Sequence, residues 1–389
     1  MAKAHVLSQN IFSPLGPTAR ENFDALCKGL SAVKIYPNNI KSDVPFCAAL
    51  FPENFFENID QQFTPFEYLL KASIEDAVKI AGIDVGAADT ALILSSTKGN
   101  VSKLETGGTT GTVKEAAGLT ASAEKLAGYF GFRNKPVIVC HACISGTLAM
   151  ITAKRLLDAG KYKTIVVAGA DVITRFILSG FQSFHAVSDE LCKPFDADRK
   201  GINLGEAAAT VVLSVRSPAS GNAVIIGGGG VSNDANHISG PSRTGAELSM
   251  AIDQAINEAG ITADAIDFVS AHGTATVYND DMESRAIHLA GLQSAPVNSL
   301  KGYYGHTLGA AGLLEAVICI ESLLNNTIIP TMGFEKPGTV MPLTVCTELV
   351  KRPLSTCVKS TSGFGGCNAA VVLQKDKDNY RSDAPVNKN

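Results

Sequence analysis

This chain repeats itself once, at long range, and that repeat limits its fold more than any other feature. Tyr68 to Gly82 reads YLLKASIEDAVKIAG and Gly245 to Gly260 reads GAELSMAIDQAINEAG. Both stretches have helical spacing, and both close on Ala-Gly-Ile: Ala81, Gly82, Ile83 and Ala259, Gly260, Ile261. Glycine just past the last turn is a helix stop signal. An apolar strand follows each, at 90–95 and 266–270. A second correspondence pairs Val137–Gly160 with Val297–Asn325: a strand and a polar turn feed a long apolar helix. The interval is far too long for a solenoid. It predicts two similar α/β halves, 1–218 and 219–377, that bring matching turns together across a shared core, and a polar tail over 378–389 that frays. The strands are short and almost continuously apolar, as expected of central strands covered by helices on both faces.

The chain begins with a short strand and a Ser-Pro-Leu-Gly turn within 4–16, read as an edge of the fold. Pro17 or Thr18 starts a helix that ends near Gly29. Residues 31–66 look irregular and carry Phe46, Phe51, Phe55, Phe56, Phe63 and Phe66. Residues 97–121 are rich in Gly, Thr and Ser. A short helix over 121–129, a strand over 164–168 and another over 211–215 complete the first half.

Composition removes several classes. The chain has 33 Lys+Arg against 37 Asp+Glu, formally −4, which leaves no general nucleic-acid footprint. Nine cysteines, without paired metal spacing, fit a reducing compartment. The start MAKAHVLSQNIFSPLG has no signal-like apolar core, and no apolar run reads as long enough to span a membrane. The expectation is a cytoplasmic protein without a membrane span.

The chemistry centres on three residues in turns. Cys143, in HACIS, sits at a strand-to-helix junction, where the free N–H groups of a helix N-terminus favour a thiolate and lower its pKa. Such a turn also lifts a side chain toward substrate. Cys140 and Cys143 form a C-x-x-C, but the long chain around them does not resemble a small redox domain. His272 follows the apolar DFVSA run, and His306 lies in KGYYGH ahead of a helix. The duplication brings their turns toward Cys143. A thiolate can take an acyl group from a thioester. Two neutral imidazoles can then donate N–H to the enolate formed when a carboxylated thioester loses carbon dioxide.

Cys143 in HACIS, His272 in HGTAT, Lys301 with Gly305-His306, and GFGGCN at 363–368 together resemble the β-ketoacyl-[acyl carrier protein] synthase family, nearest its elongating group. The likeness runs from SPLG at 13–16 through GFGGCN. It implies a thiolase-like fold: two pseudo-duplicated halves forming a layered α-β-α-β-α core, usually dimeric. It implies Cys143 as acyl acceptor, His272 and His306 as the decarboxylation pair, and Lys301 with Glu315 as an electrostatic support. Phe364 matches a gating phenylalanine whose N–H, with that of Cys143, forms the oxyanion hole. Thr274 and Thr276 match threonines that bond the pantetheine arm. The resemblance implies no permanently bound cofactor and no metal, since phosphopantetheine arrives on an acyl carrier protein. It implies a homodimer, with a heterodimer with a related synthase subunit as the alternative.

Departures matter for specificity. His141 and Ile144 flank the nucleophile where family members often carry smaller residues, so Ile144 is expected to reshape the acyl cavity. The interval from strand 90–95 to Cys143 also looks short. A specialised polyene, aryl-linked or polyketide-type chain is therefore an alternative to a saturated fatty acid. Asp196, Asp198 and Glu206 are read as turn and arginine partners rather than metal ligands, and Arg199 and Lys200 as candidates to meet an acidic carrier. A thiolase would use a second cysteine, for which Cys367 is the candidate. A starter-condensing synthase would place Asn where His306 stands. A non-catalytic chain-length-factor-like partner would not need the Cys143, His272, His306 and Lys301 set.

Overall fold

Ten strands form one continuous sheet in a computed structural model that describes residues 3–37, 41–106, 111–218, 223–235 and 240–378. In chain order they are β1 (Ala4–Phe12), β2 (Thr90–Ser95), β3 (Val137–Val139), β4 (Thr164–Asp171), β5 (Ala207–Ser214), β6 (Val224–Asn233), β7 (Phe268–Ser270), β8 (Val297–Asn298), β9 (Thr356–Gly363) and β10 (Cys367–Lys375). Across the sheet they run β8-β7-β9-β10-β6-β1-β5-β4-β2-β3. Each half has the same order: its third strand lies outermost, then its second, fourth, fifth and first. In each half the second strand is parallel to the third and the fourth, and the fifth runs antiparallel to its neighbours. The repeat read from the sequence is thus a repeat of topology.

The main helices are α1 (Pro65–Ala81), α2 (Ser145–Asp158), α3 (Arg175–Ser183), α4 (Ala246–Glu258), α5 (Val277–Leu289) and α6 (Ala311–Asn325). α1 starts three residues earlier than its apolar spacing suggests. Thr64 and Glu67 form a reciprocal capping box around Pro65, and Gly82 closes the helix at φ 58°. The long corresponding helices, α2 and α6, pack against each other at the centre. The crossing needs glycine: a Cβ on Gly146 would lie 2.6 Å from Leu313 N, and one on Gly312 would lie 2.9 Å from Thr147 N.

Two expectations change. β1 is not an edge; it joins the halves, pairing β5 on one side and β6 at Ala4 and His5 on the other. Its polar residues made it look peripheral, but each has a specific partner. His5 Nε2 is 3.0 Å from Asp376, Ser8 donates to Ala77 O at 2.6 Å, and Asn10 donates to Asp76 at 2.6 Å. Second, Leu308–Asn325 is long and apolar enough by composition to cross a membrane, although 83% of it is buried inside the protein. It is buried on every side because it is the central core helix, and its two carboxylates, Glu315 and Glu321, are paired. The described parts of 31–66 also hold order: Lys34–Tyr36 pairs Phe46–Ala49, Phe51 and Phe55 pack on Phe12, Phe55 also meets Tyr68, and Phe56 meets Phe51 and Phe55 edge-on. Of the expected tail, 379–389 lies outside the described residues.

Candidate active site

The nucleophile turn is held by one hydroxyl. Ser145 Oγ accepts from His141 N and donates to Ala142 O, both at 2.7 Å. Ala142 takes a left-handed φ of 44°, unusual for a residue with a side chain. That kink between β3 and α2 directs Cys143 to the floor of a cavity of about 590 Å³. The β9–β10 hairpin runs alongside, since a Cβ on Gly363 would lie 3.0 Å from Cys143 N.

The second half delivers the histidines. After β7 the backbone N–H groups of His272 and Gly273 donate to the two oxygens of Glu283, at 2.7 and 2.6 Å. Asp280 receives Thr274 N at 3.0 Å and Phe195 N at 2.8 Å. Both carboxylates stand on α5, three residues apart and so on one face. Sequence reasoning missed them, although N-D-D-x-E two residues after HGTAT was a visible signal. On the other turn, His306 N donates to Asn203 O at 2.6 Å and its carbonyl accepts Gly205 N at 3.0 Å.

The two turns meet. A ligand atom from each of Cys143, His272 and His306 lies within 4.8 Å of the others. The imidazole rings are 5.1 Å apart and nearly perpendicular. His272 Nδ1 and both ring nitrogens of His306 are buried without a hydrogen-bond partner among the described residues. Orphaned buried polar atoms of this kind point to a ligand or reacting group. Thr274 and Thr276 line the same cavity, their hydroxyls 2.8 Å apart. Phe364 lines it too and stacks on Phe181. Ile144 does not: it packs into the main core and leaves the cavity wall to others.

Beneath the histidines lies a buried charge cluster. Lys301 is ion-paired with Glu315, as the sequence suggested. Lys359, unforeseen, sits 2.6 Å from the other Glu315 oxygen and donates to Ser270 O and Ala271 O at 3.1 and 3.0 Å. Two ammonium groups against one carboxylate leave this triad with an excess of positive charge, beside the buried Glu283 carboxyl. Burial holds both imidazoles well below the usual histidine range, and Lys301 adds to the effect on each. They are therefore neutral at pH 7, each with one N–H donor and one acceptor. A thiol and two imidazoles at this spacing also resemble a tridentate metal set; the excess positive charge below opposes a dication there.

Burial pushes the Cys143 thiol up to about 12, with Cys367 adding to the rise and Lys301 opposing it. This overturns the expectation of a resting thiolate. Desolvation outweighs the pull of the α2 N-terminus. The thiol must lose its proton as it attacks, and the neutral imidazoles are the bases at hand.

Several other candidates prove structural. Cys367 Sγ faces the carbonyls of Phe364 and His141, at 3.4 and 3.8 Å, outside the cysteine–histidine group. Arg199 is buried rather than poised for a carrier: it bonds Asp196 O, Gly338 O and Asp281 at 2.7–2.9 Å. Asp196 accepts the N–H groups of Glu335 and Lys336, both at 2.7 Å, and Glu206 accepts those of Phe51 and Ile173. Lys200 stays at the surface beside Glu190 and lines the cavity.

A duplicated sheet of this strand order, with a cysteine and two histidines meeting where its halves join, defines a thiolase-like protein. The chain belongs to the β-ketoacyl synthase family: residues 6–219 match the family's N-terminal domain and 223–335 its C-terminal domain. It is similar to 3-oxoacyl-[acyl-carrier-protein] synthase 2 of Rhizobium meliloti (strain 1021), 33% identical over 276 residues, 67% of this chain and 64% of the relative. Matches thus span just under two thirds of the curated relatives' length. Among solved structures, the ishigamide ketosynthase/chain length factor superposes with a TM-score of 0.83, at 22% identity, over 97% of this chain and 100% of that one. A type II polyketide-synthase acyl-carrier protein in complex with its ketosynthase, bound to the hexaketide, superposes with a TM-score of 0.82, at 19% identity, over 96% and 100%. These likenesses establish the fold.

Proposed function

We propose that this protein catalyses decarboxylative Claisen condensation of a malonyl-carrier with an acyl group held on Cys143, giving a β-ketoacyl-carrier. The observation that carries the reading is the approach of Cys143, His272 and His306 to within 4.8 Å at the floor of one cavity. Cys143 Sγ attacks the acyl thioester carbonyl, an imidazole takes the thiol proton, and the pantetheine thiol leaves with a proton. The malonyl thioester then binds and releases carbon dioxide. Its enolate oxygen accepts hydrogen bonds from the two neutral imidazoles. The enolate carbon attacks the acyl carbonyl, whose oxygen is received by the N–H groups of Cys143 and Phe364. Collapse expels the Cys143 sulfur as a thiolate, which takes a proton from solvent to restore the thiol.

Burial keeps the histidines neutral, Lys301 adds to that effect, and Glu315 holds Lys301 in place beside them. Thr274 and Thr276 hold the pantetheine arm that an acyl carrier protein delivers. The carrier and a dimeric assembly, with itself or with a related synthase subunit, follow from the family and from the carrier-bound ketosynthase that shares the fold. Nine free thiols support a cytoplasmic setting. The division at 218/219 is proposed as the boundary between the halves, since each side supplies five strands of the sheet.

The test is to incubate the purified chain with an acyl-carrier and malonyl-carrier and to follow Cys143 mass and product mass. A stable acyl adduct on Cys143 and a β-ketoacyl product support the reading. Product formation undiminished in Cys143→Ala contradicts it.

A further inference from the structure

The cavity wall beside the nucleophile carries an aromatic surface that condensation itself does not require. The Phe364 ring lies 5.7 Å from that of Phe181 with 25° between their planes, and Phe184 meets it edge-on at 5.4 Å and 68°. All three line the cavity that reaches Cys143. The shelf begins next to the nucleophile, because Gly363, the neighbour of Phe364, runs against Cys143 N. Phe184 is 53% exposed and Phe364 36%, large apolar rings left uncovered on a concave wall. Ala186, Ile202, Pro241 and Val277 continue that wall. The charged side chains of the cavity are engaged elsewhere: Lys200 with Glu190, and Asp234 with the N–H of Ser242.

A ligand gains most from such a wall by lying flat on it. Aromatic faces prefer offset stacking with another flat π-system, over and above the area buried. A conjugated acyl chain is planar from its thioester outward and can add one more layer to the stack. A saturated chain is puckered and offers dispersion alone. We infer that the Phe181–Phe364–Phe184 shelf selects planar, conjugated acyl groups over saturated ones of equal length. This inference rests on the reading of Cys143 as acyl acceptor.

The experiment compares trans,trans-2,4-octadienoyl-pantetheine with octanoyl-pantetheine and reads the concentration that half-saturates acylation of Cys143 by intact mass. Concentration is read because conjugation by itself slows attack on a thioester. The expected half-saturating concentration is lower for the dienoyl thioester by roughly three- to ten-fold, the factor that a stacked aromatic contact adds. In Phe184→Leu the ratio falls toward one, and in Phe184→Tyr, which keeps a ring face, it persists. Equal half-saturation in the native protein, or an unchanged ratio in Phe184→Leu, overturns the shelf's role alone. No acylation of Cys143 by either thioester overturns the nucleophile assignment and the shelf's role with it.

Discussion

Glu315→Gln tests the buried charge cluster most sharply. Among the described residues Glu315 is the single carboxylate within ion-pair distance of the ammonium groups of Lys301 and Lys359, and all three side chains are buried. The substitution keeps the shape and leaves two buried cations uncompensated. Removing one partner of a buried pair costs about 3–5 kcal/mol, mostly as the penalty on the charge left behind. Unfolding entropy of about 2.1 cal/mol/K per residue, over 389 residues, gives roughly 0.8 kcal/mol per kelvin. The expected fall in Tm is therefore about 4–6 °C by scanning calorimetry at one fixed scan rate. Glu321→Gln is the control on the same helix. Glu321 accepts from the neutral amides of Gln9 and Asn325, so its loss is worth about 1–2 °C. Lys359→Met added to Glu315→Gln removes one stranded cation and recovers part of the fall. Equal shifts for the two glutamine variants, or no recovery in the double variant, refute the reasoning.

Three further outcomes follow from the same geometry. Cys143 alkylation by iodoacetamide should rise steadily with pH between 7 and 10, because burial pushes the thiol up to about 12; a plateau reached by pH 7 contradicts that. The lowered pKa values of His272 and His306 mean that the unfolded chain binds protons before the folded one does. Their contribution is complete above the unfolded value near 6.5 and is lost as pH falls below it, so His306→Asn should flatten the stability slope between pH 6.5 and 5.5 by about 1 kcal/mol per unit in chemical denaturation. Gly146→Val should abolish soluble expression, because its side chain meets Leu313 backbone at the crossing of the two central helices; normal yield and native Tm contradict the packing account.

The fold was legible because its repeat is written in short local signals. The two Ala-Gly-Ile helix stops and the two strand–turn–helix units map onto matching positions of the two halves. What stayed hidden depended on partners distant in sequence. β1 looked peripheral because nothing local says that His5 meets Asp376 or that Asn10 meets Asp76. Lys359 reads as an ordinary strand lysine until β9 is seen to run beside β7, above Glu315. Arg199 invited a surface role, yet carbonyls and carboxylates from three segments bury it. The Cys143 thiol shows the limit of a local argument about ionisation. The helix N-terminus was visible in the sequence, but the burial that outweighs it belongs to the tertiary fold. Two signals were present and unread: the Thr64–Glu67 capping box, and the Asp280 and Glu283 pair that anchors the His272 turn.

The most direct measurement of the central claim is carbon dioxide release from carboxyl-labelled malonyl-carrier, followed alongside condensation. Three proteins suffice: the native chain, Cys143→Ala and His306→Ala. Cys143→Ala is expected to release labelled carbon dioxide without forming the β-ketoacyl product. His306→Ala is expected to take up the acyl group on Cys143 yet release little carbon dioxide and form no product. Undiminished decarboxylation in His306→Ala, with native folding shown by an unchanged Tm, contradicts the assignment of the enolate to the imidazole pair.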